Sequence, residues 1–358
     1  MRLYFLCAID AEASVARLLY EYDASSCKTW QTIFQTNART PPRMAREFPG
    51  RVPGEDGTLI AYRGRRPGAR ASGVTVFVNG LSNENFQLVR LADECVARGR
   101  CALEFDFRGH GCSENPRDYA LVSAKAFAKD AWACVDEFCS RSGVERERDV
   151  DLVSYSYGTQ VALEMIRCRP AVIRCHVSLL GTPERILDGL VGRRGADVVV
   201  SIAKRVVGLK ATSAVVGASL RFAATFPRFV WALSRVLGYL KSSYAAFAPF
   251  FAHLSRLDAE CWVHCVVDGH ENGAMDVLKD ANRTWYCGMI EGDCDFAAPR
   301  RVVRSWERYC DFFVILPGVA HDGLRSHGDE IAALVRDVFE RAEASKASSS
   351  NKASSSNM

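Results

Sequence analysis

Ser156 stands in the run Val150-Asp-Leu-Val-Ser-Tyr-Ser-Tyr-Gly158, where an apolar strand pattern enters a small-x-Ser-x-Gly turn. The helical pattern Thr159–Arg167 follows at once. A strand, a sharp turn and a helix in that order lift a serine hydroxyl clear of a sheet edge, the setting of a nucleophile elbow. Ser154 and Gly158 are small enough for the strand and helix to approach closely. The Tyr157 N–H falls at the helix start, where amide dipoles favour negative charge, so the same turn supplies half of an oxyanion hole. A serine nucleophile also needs a base and an acid that orients the base. Of the seven histidines (110, 176, 253, 264, 270, 321 and 327), only His321 and His327 follow a suitable acid at a strand end. His321 sits in Leu316-Pro-Gly-Val-Ala-His-Asp-Gly323, a loop leaving a strand, which places an imidazole at the same sheet edge as Ser156. His327 lies further along, beside Gly328 and Asp329, and reads as a solvated residue. For the acid, the strand Trp285–Ile290 runs into Glu291-Gly-Asp-Cys-Asp295, and both aspartates lie at that edge. Asp295, three residues past a glycine able to form the tight turn, is the expected acid, with Asp293 as the alternative. A second oxyanion donor is expected after the strand Val74–Val78, in Asn79-Gly80-Leu81-Ser82. There Gly80 lets the backbone bend towards a substrate, and Leu81 offers its N–H.

Two other groups of residues invite chemistry. His110, in Arg108-Gly-His-Gly111, precedes the serine, which is the wrong chain order for the base, and reads as part of a structural turn. Cys261, His264, Cys265 and His270 are rich in nitrogen and sulfur. Their spacing fits no usual zinc-ligand pair, and position 274 is Ala rather than a second His, so no metal and no organic cofactor are expected.

The elements that must position these residues are legible in outline. Hydrophobic residues make up 48% of the 358 and charged residues 25%, the balance of a soluble globular protein with a large core. A net charge of +4 is too small to argue for nucleic acid, and no nucleic-acid partner is expected. The fourteen cysteines are scattered through apolar segments, which in a chain this long points to buried free thiols and a reducing compartment. The first residues, Met-Arg-Leu-Tyr-Phe-Leu-Cys-Ala-Ile, form a short apolar run that Asp10 and Glu12 interrupt, so a cytoplasmic location is expected rather than a secretory leader. No uncharged apolar run is long enough for a spanning helix.

Residues 1–45 form an extension of unclear structure, with a helical pattern over Ala13–Tyr20 that Pro41-Pro42 would break. Asp56-Gly57 signals a hairpin turn before a strand over Thr58–Tyr62. Buried strands are expected at Val74–Val78, Cys101–Phe105, Val150–Val153, Cys175–Leu180, Trp285–Ile290 and Phe312–Leu316, with helices at Phe86–Arg98, Ser123–Ser140 and Thr159–Cys168. This alternation implies a mostly parallel sheet covered on both faces. The alternation breaks over residues 184–262, where apolar helical patterns (Val198–Val207, Ser213–Phe226, Phe229–Leu240) predict an inserted helical lid. The core is expected to occupy 46–183 and 263–345, closed by a helix over Glu330–Ser345. The repeated Lys-Ala-Ser-Ser-Ser-Asn of residues 346–358 predicts a disordered tail.

Phe77-Val-Asn-Gly-Leu-Ser82, Asp106-Phe-Arg-Gly-His-Gly111, Ser154-Tyr-Ser-Tyr-Gly158, Gly292-Asp-Cys-Asp295 and Gly318-Val-Ala-His321 together resemble the successive landmarks of the α/β-hydrolase family. The nearest likeness is to monoacylglycerol lipases and related serine esterases, over about residues 50–340. The resemblance implies an α/β-hydrolase fold with a helical cap, and Ser156, Asp295 and His321 as a catalytic set, with Leu81 and Tyr157 at the oxyanion. Two positions depart from the pattern. Ser154 replaces the usual Gly at the elbow, and Asn79 stands where His commonly precedes the oxyanion Gly. A serine rather than an aspartate nucleophile argues against the epoxide-hydrolase and haloalkane-dehalogenase branches.

The lid adds substrate information. From Val198 to Leu257 there are eight lysines and arginines and no acidic residue. Family peptidases that hold a substrate ammonium need carboxylates near the site, whereas this stretch is aromatic and aliphatic, which suits an apolar acyl chain. Its positive charge suits an anionic membrane surface or an acidic head group. The expected activity is hydrolysis of a carboxylic ester or thioester, with a small-molecule ester or lipid as substrate. Acyl transfer from the same acyl-enzyme and non-catalytic ligand binding on the same scaffold are the alternatives.

Overall fold

Apolar runs long enough to bury on both sides fix the centre of the sheet, and polar-edged runs end up at its margin. The computed structural model describes residues 45–68, 71–83, 87–144 and 149–355. The strands are β1 (Arg46–Pro53), β2 (Leu59–Arg66), β3 (Val74–Val78), β4 (Cys101–Phe105), β5 (Val150–Tyr155), β6 (Ile173–Leu179), β7 (Tyr286–Gly292) and β8 (Phe312–Leu316). They form one sheet in the order β1-β2-β4-β3-β5-β6-β7-β8. β1 and β4 each pair antiparallel with β2, and every pairing from β4 through β8 is parallel. All residues of β3, β4, β5 and β6 are buried, as strands covered on both faces must be. β1 is the one described strand that the sequence pattern misses. It carries Pro49, Pro53 and three charged residues, a composition tolerated because an edge strand need not donate every N–H.

The helices are α1 (Val89–Ala97), α2 (Ala124–Ser142), α3 (Gly158–Cys168), α4 (Asp188–Val206), α5 (Lys210–Thr225), α6 (Pro227–Val236), α7 (Tyr244–Leu254), α8 (Ala259–Glu271), α9 (Met275–Lys279), α10 (Arg300–Val303), α11 (Gly323–Ser326) and α12 (Gly328–Ser355). Strand alternation divides the core. Val76, Leu103 and Leu152 pack with Phe127 and Trp132 of α2 and Val161 and Met165 of α3. Phe77, Ala102 and Val153 pack on the other face with Leu91 of α1 and Val335 and Val338 of α12. The result is an α/β-hydrolase fold. α2 begins where the Ser123 hydroxyl accepts the Ala126 N–H and ends at Gly143, whose φ of 66° suits glycine.

Helices α4 to α9 occupy the interval between β6 and β7. Four of them surround a small core of their own, centred on Leu240, Phe247, Phe251, Leu254 and Leu257. α7 is absent from the sequence-based expectation. The expected lid boundary at residue 262 falls inside α8, whose Cys261 and Cys265 are buried in the main core. That helix begins firmly because Asp258 accepts the Cys261 N–H at 2.7 Å. The C-terminal end also differs from expectation. α12 runs on to Ser355 through residues expected to form a disordered tail, because extending an existing helix adds one hydrogen bond per residue with no new nucleation cost. The expected helix over Ala13–Tyr20, and the start of the first core helix at Phe86, lie outside the described residues. No helix among the described residues is long and apolar enough to cross a membrane.

The contact of α2 with the antiparallel margin depends on Gly64 of β2. A Cβ there would meet the fully buried Phe138 ring at 2.1 Å. Gly64→Ala is therefore expected to cost about 1–3 kcal/mol, the usual cost of overpacking, read as a lower urea midpoint. An unchanged midpoint would contradict this packing.

Candidate active site

The strand ends Val78, Tyr155, Leu179, Gly292 and Leu316 lie along one edge of the sheet, and the loops leaving them carry the chemistry. Ser156 follows β5 directly with φ of 56°, a left-handed backbone that side chains adopt at a cost. Several contacts hold it there. The Ser156 N–H donates to the Leu179 carbonyl at 3.1 Å, and the Thr159 N–H donates to the Ser156 carbonyl at 3.0 Å. α3 starts after Tyr157 with no side chain capping it, so its first amides are left for another acceptor.

Ser156 Oγ lies 2.9 Å from His321 Nε2, and the His321 Nδ1–H donates to Asp295 Oδ2 at 2.8 Å. Asp295 is buried, and its other oxygen accepts the Ala297 and Ala298 N–H groups at 2.8 and 3.2 Å. The three side chains thus form one relay, although Ser156 stands more than a hundred residues before the other two. Asp293 is not in it. Its carboxylate accepts the Gly318 N–H at 2.6 Å and braces the loop before His321. His327 turns to the Ser326 hydroxyl at 2.9 Å. The Tyr155 hydroxyl donates to the His321 carbonyl at 2.6 Å, which fixes the backbone behind the imidazole.

The loop after β3 passes close to the elbow. A Cβ on Gly80 would be 2.9 Å from the Ser156 Cβ. Its next residues are tethered by His110, whose Nδ1–H donates to the Arg108 carbonyl at 2.9 Å while Nε2 accepts the Ser82 N–H at 3.3 Å. The Leu81 and Tyr157 amides take no acceptor among the described residues. His110 thereby shapes the loop and stands apart from the relay. The rest of its motif is structural too. Arg108, fully buried, holds Asp130 at 2.7 and 2.8 Å, and Asp106 accepts the Cys112 N–H at 2.9 Å. The nitrogen- and sulfur-rich residues of α8 do not converge on one point, since Cys261 and Cys265 share the main core while the two histidines lie elsewhere. Cys261 Sγ donates to the Arg108 carbonyl, His264 stacks on Tyr119, and His270 Nε2 lies 3.4 Å from Asp197. No cluster with the makings of a metal site occurs among the described residues.

The sequence, from residue 75 to residue 334, matches the model of the alpha/beta hydrolase family. The chain belongs to this family. No curated protein matches the sequence. Among solved structures, an esterase from Exiguobacterium antarcticum is 14% identical, with a TM-score of 0.58 over 82% of this chain and 100% of its own. An epoxide hydrolase from Vigna radiata is 16% identical, with a TM-score of 0.60 over 82% of this chain and 98% of its own. A putative aryl esterase from Burkholderia cenocepacia is 16% identical, with a TM-score of 0.61 over 83% of this chain and 100% of its own. At these identities the likeness is one of fold.

Within this hydrolase framework the cap roofs a cavity of about 420 Å3 against Ser156 and His321, walled by apolar side chains such as Leu187, Phe247, Phe251, Trp262 and Phe296. Trp262 Nε1–H donates to the Ser82 hydroxyl at 2.7 Å, joining α8 to the loop after β3. Asp322, next to His321, accepts the Lys241 and Ser242 N–H groups at 2.9 and 2.7 Å and joins the cap to the histidine loop. Neither residue carries a motif that would single it out in the sequence. The departure at Ser154 also has a physical account. Its hydroxyl lies 2.8 Å from His176 Nε2 and 3.2 Å from Thr159 Oγ1, in a buried polar chain beneath the elbow. His176 is a second serine-bonded imidazole, but burial pulls its pKa down to about 3 and it does not line the cavity against Ser156.

Burial acts to lower the pKa of His321, but the negative charges of Asp295 and Asp322 outweigh it, and the net direction is upward. The neutral imidazole is the form that accepts a proton. Activity should therefore fall on acidification, with the acid limb of kcat/KM centred above the ordinary histidine value of about 6.5. A limb centred below that value would contradict the Asp295–His321 coupling. Asp295→Asn should lower kcat by roughly 10^3–10^4-fold, the loss seen when the orienting acid of such a set becomes an amide. Asp293→Asn should change kcat little. Steady-state kinetics that reversed the two would reassign the acid.

Proposed function

We propose that the protein is a serine hydrolase that cleaves a carboxylic ester or thioester with an apolar acyl group. The observation that carries this reading is the continuous Ser156–His321–Asp295 relay at the wall of an apolar cavity. Ser156 Oγ attacks the acyl carbon as its proton passes to His321 Nε2, and the tetrahedral oxyanion is held by the Tyr157 and Leu81 N–H groups. Collapse of that intermediate expels the alcohol or thiol, which takes the proton from His321, and leaves the acyl group on Ser156. Water then repeats the sequence, giving up its proton to His321 and releasing the carboxylic acid and the free serine. Asp295 keeps the Nδ1 proton in place and stabilises the imidazolium throughout. The structural neighbours include esterases and epoxide hydrolases alike. A serine at the elbow favours the first chemistry, since it forms an acyl ester, whereas epoxide opening in that branch starts from a carboxylate. The cavity wall is mostly apolar, which suits an acyl chain that gains by leaving water.

Hydrolysis of p-nitrophenyl esters of increasing acyl length tests the reading directly. Activity is expected to peak at a chain that fills the cavity. It should fall at least roughly 10^3-fold in Ser156→Ala, with thermal stability nearly unchanged. A Ser156→Ala protein as active as the native one would remove the mechanism. A folded native protein inert on every chain length would shift the reading to acyl transfer or ligand binding.

A further inference from the structure

We infer that the outer face of the cap is a docking surface for an anionic lipid bilayer. Among the described residues, every large apolar side chain that stands exposed to solvent lies between Leu190 and Tyr239. Monomeric proteins seldom leave so many large apolar side chains from one region of the chain in water. Phe229, Leu233 and Val236 repeat along one side of α6, with Val236 84% exposed and Phe229 60% exposed. Phe222 of α5 extends the patch, with ring centroids 5.0 Å from Phe226 and 6.5 Å from Phe229. The other side of α6 presents Val230 and Ser234 to the cavity, so one helix separates the cavity from the exposed face. Leu190 and Tyr239 belong to both surfaces. The Tyr239 ring lies 4.7 Å from Phe296, tilted by 48°, and Phe296 lies 5.5 Å from His321, so the rim is two ring contacts from the imidazole.

The charge on this face selects the occupant. All eight lysines and arginines from Val198 to Leu257 are exposed, and no carboxylate lies in that stretch. Arg221, Arg228 and Arg235 stand on the same two helices as the exposed phenylalanines. Apolar side chains flanked by basic ones match a headgroup layer of anionic phospholipid, with the aromatic rings inserted and the guanidinium groups at the phosphates. A second copy of this chain fits poorly, because a two-fold contact on this face would set basic residues against basic residues.

The inference goes beyond the hydrolase reading, since binding needs no acyl-enzyme. The test is flotation of the full chain with phosphatidylcholine vesicles, with and without phosphatidylserine, at low and high salt. Binding is expected to require phosphatidylserine and to weaken with salt. F226S/F229S should lower partitioning by roughly tenfold or more, and R221E/R228E by a similar factor. Both variants should hydrolyse a soluble short-chain ester at the native rate. Failure of the native protein to float with either vesicle would overturn the docking surface, as would charge-reversed protein that binds equally well. A dimer in sedimentation velocity that F226S/F229S dissolves would assign the face to a second copy instead. Flotation without any ester hydrolysis would leave the docking surface standing and remove only the hydrolase reading.

Discussion

The close approach of the loop after β3 to the start of α3 is the constraint on which the site depends. A Cβ at Gly158 would lie 2.3 Å from the Asn79 carbonyl oxygen and 2.5 Å from that of Val78. Those are backbone atoms and cannot swing aside, so no side chain fits there. Gly80 closes the same gap from the other side. With both glycines in place, two loops from adjacent strands bring their amides to the one serine that the turn holds in a left-handed conformation. Backbone strain at Ser156 persists because β5, β6 and α3 over-determine its position through hydrogen bonds on each side.

Around that point the protein spends polar groups where they lock loops to one another. Tyr155, Asp293 and Asp322 each bond the backbone near His321 or the cap, and Tyr157 donates to Asp268 of α8 at 2.8 Å. A charge-assisted or buried hydrogen bond in such surroundings is strong and costly to break. The cap is therefore fastened to the loops around the site through Asp322, Trp262 and Asp268. The polar chain of Ser154, His176, Thr159 and Ser178 lies under the elbow in the same way. It explains why a serine is accommodated where the strand must approach the helix.

Much of this was legible in the chain. β3, β4 and β8 fall at their expected residues, because a short apolar run between turn signals can do little but bury as a strand. β1 was not legible, since its prolines and charges read as loop and only pairing with β2 makes it a strand. α7, with Pro249 inside it, was missed for the same reason. Spacing past Gly292 pointed to Asp295 and left Asp293 as the alternative. Both residues sit at the right edge, and the direction in which each side chain leaves the turn decides which meets the imidazole. Likewise His110 and His176 offered chemistry by type, yet neither belongs to the relay. One is spent on a loop and the other is sealed in the core.

The sequence by itself determined the order of the strands β3 to β8 and of the helices α1 to α3 among them, the strand–turn–helix around Ser156 and the basic, acid-free composition of the cap. Those are local properties, set by hydrophobic period, turn residues and charge within a short span. Only the tertiary structure decided that Ser156, Asp295 and His321 form one hydrogen-bonded line, that Trp262 and Asp322 fasten the cap, and that the cap's apolar residues split between cavity and solvent. Each of these is a contact between residues far apart in the chain. Such contacts depend on distances and side-chain directions that no local pattern encodes.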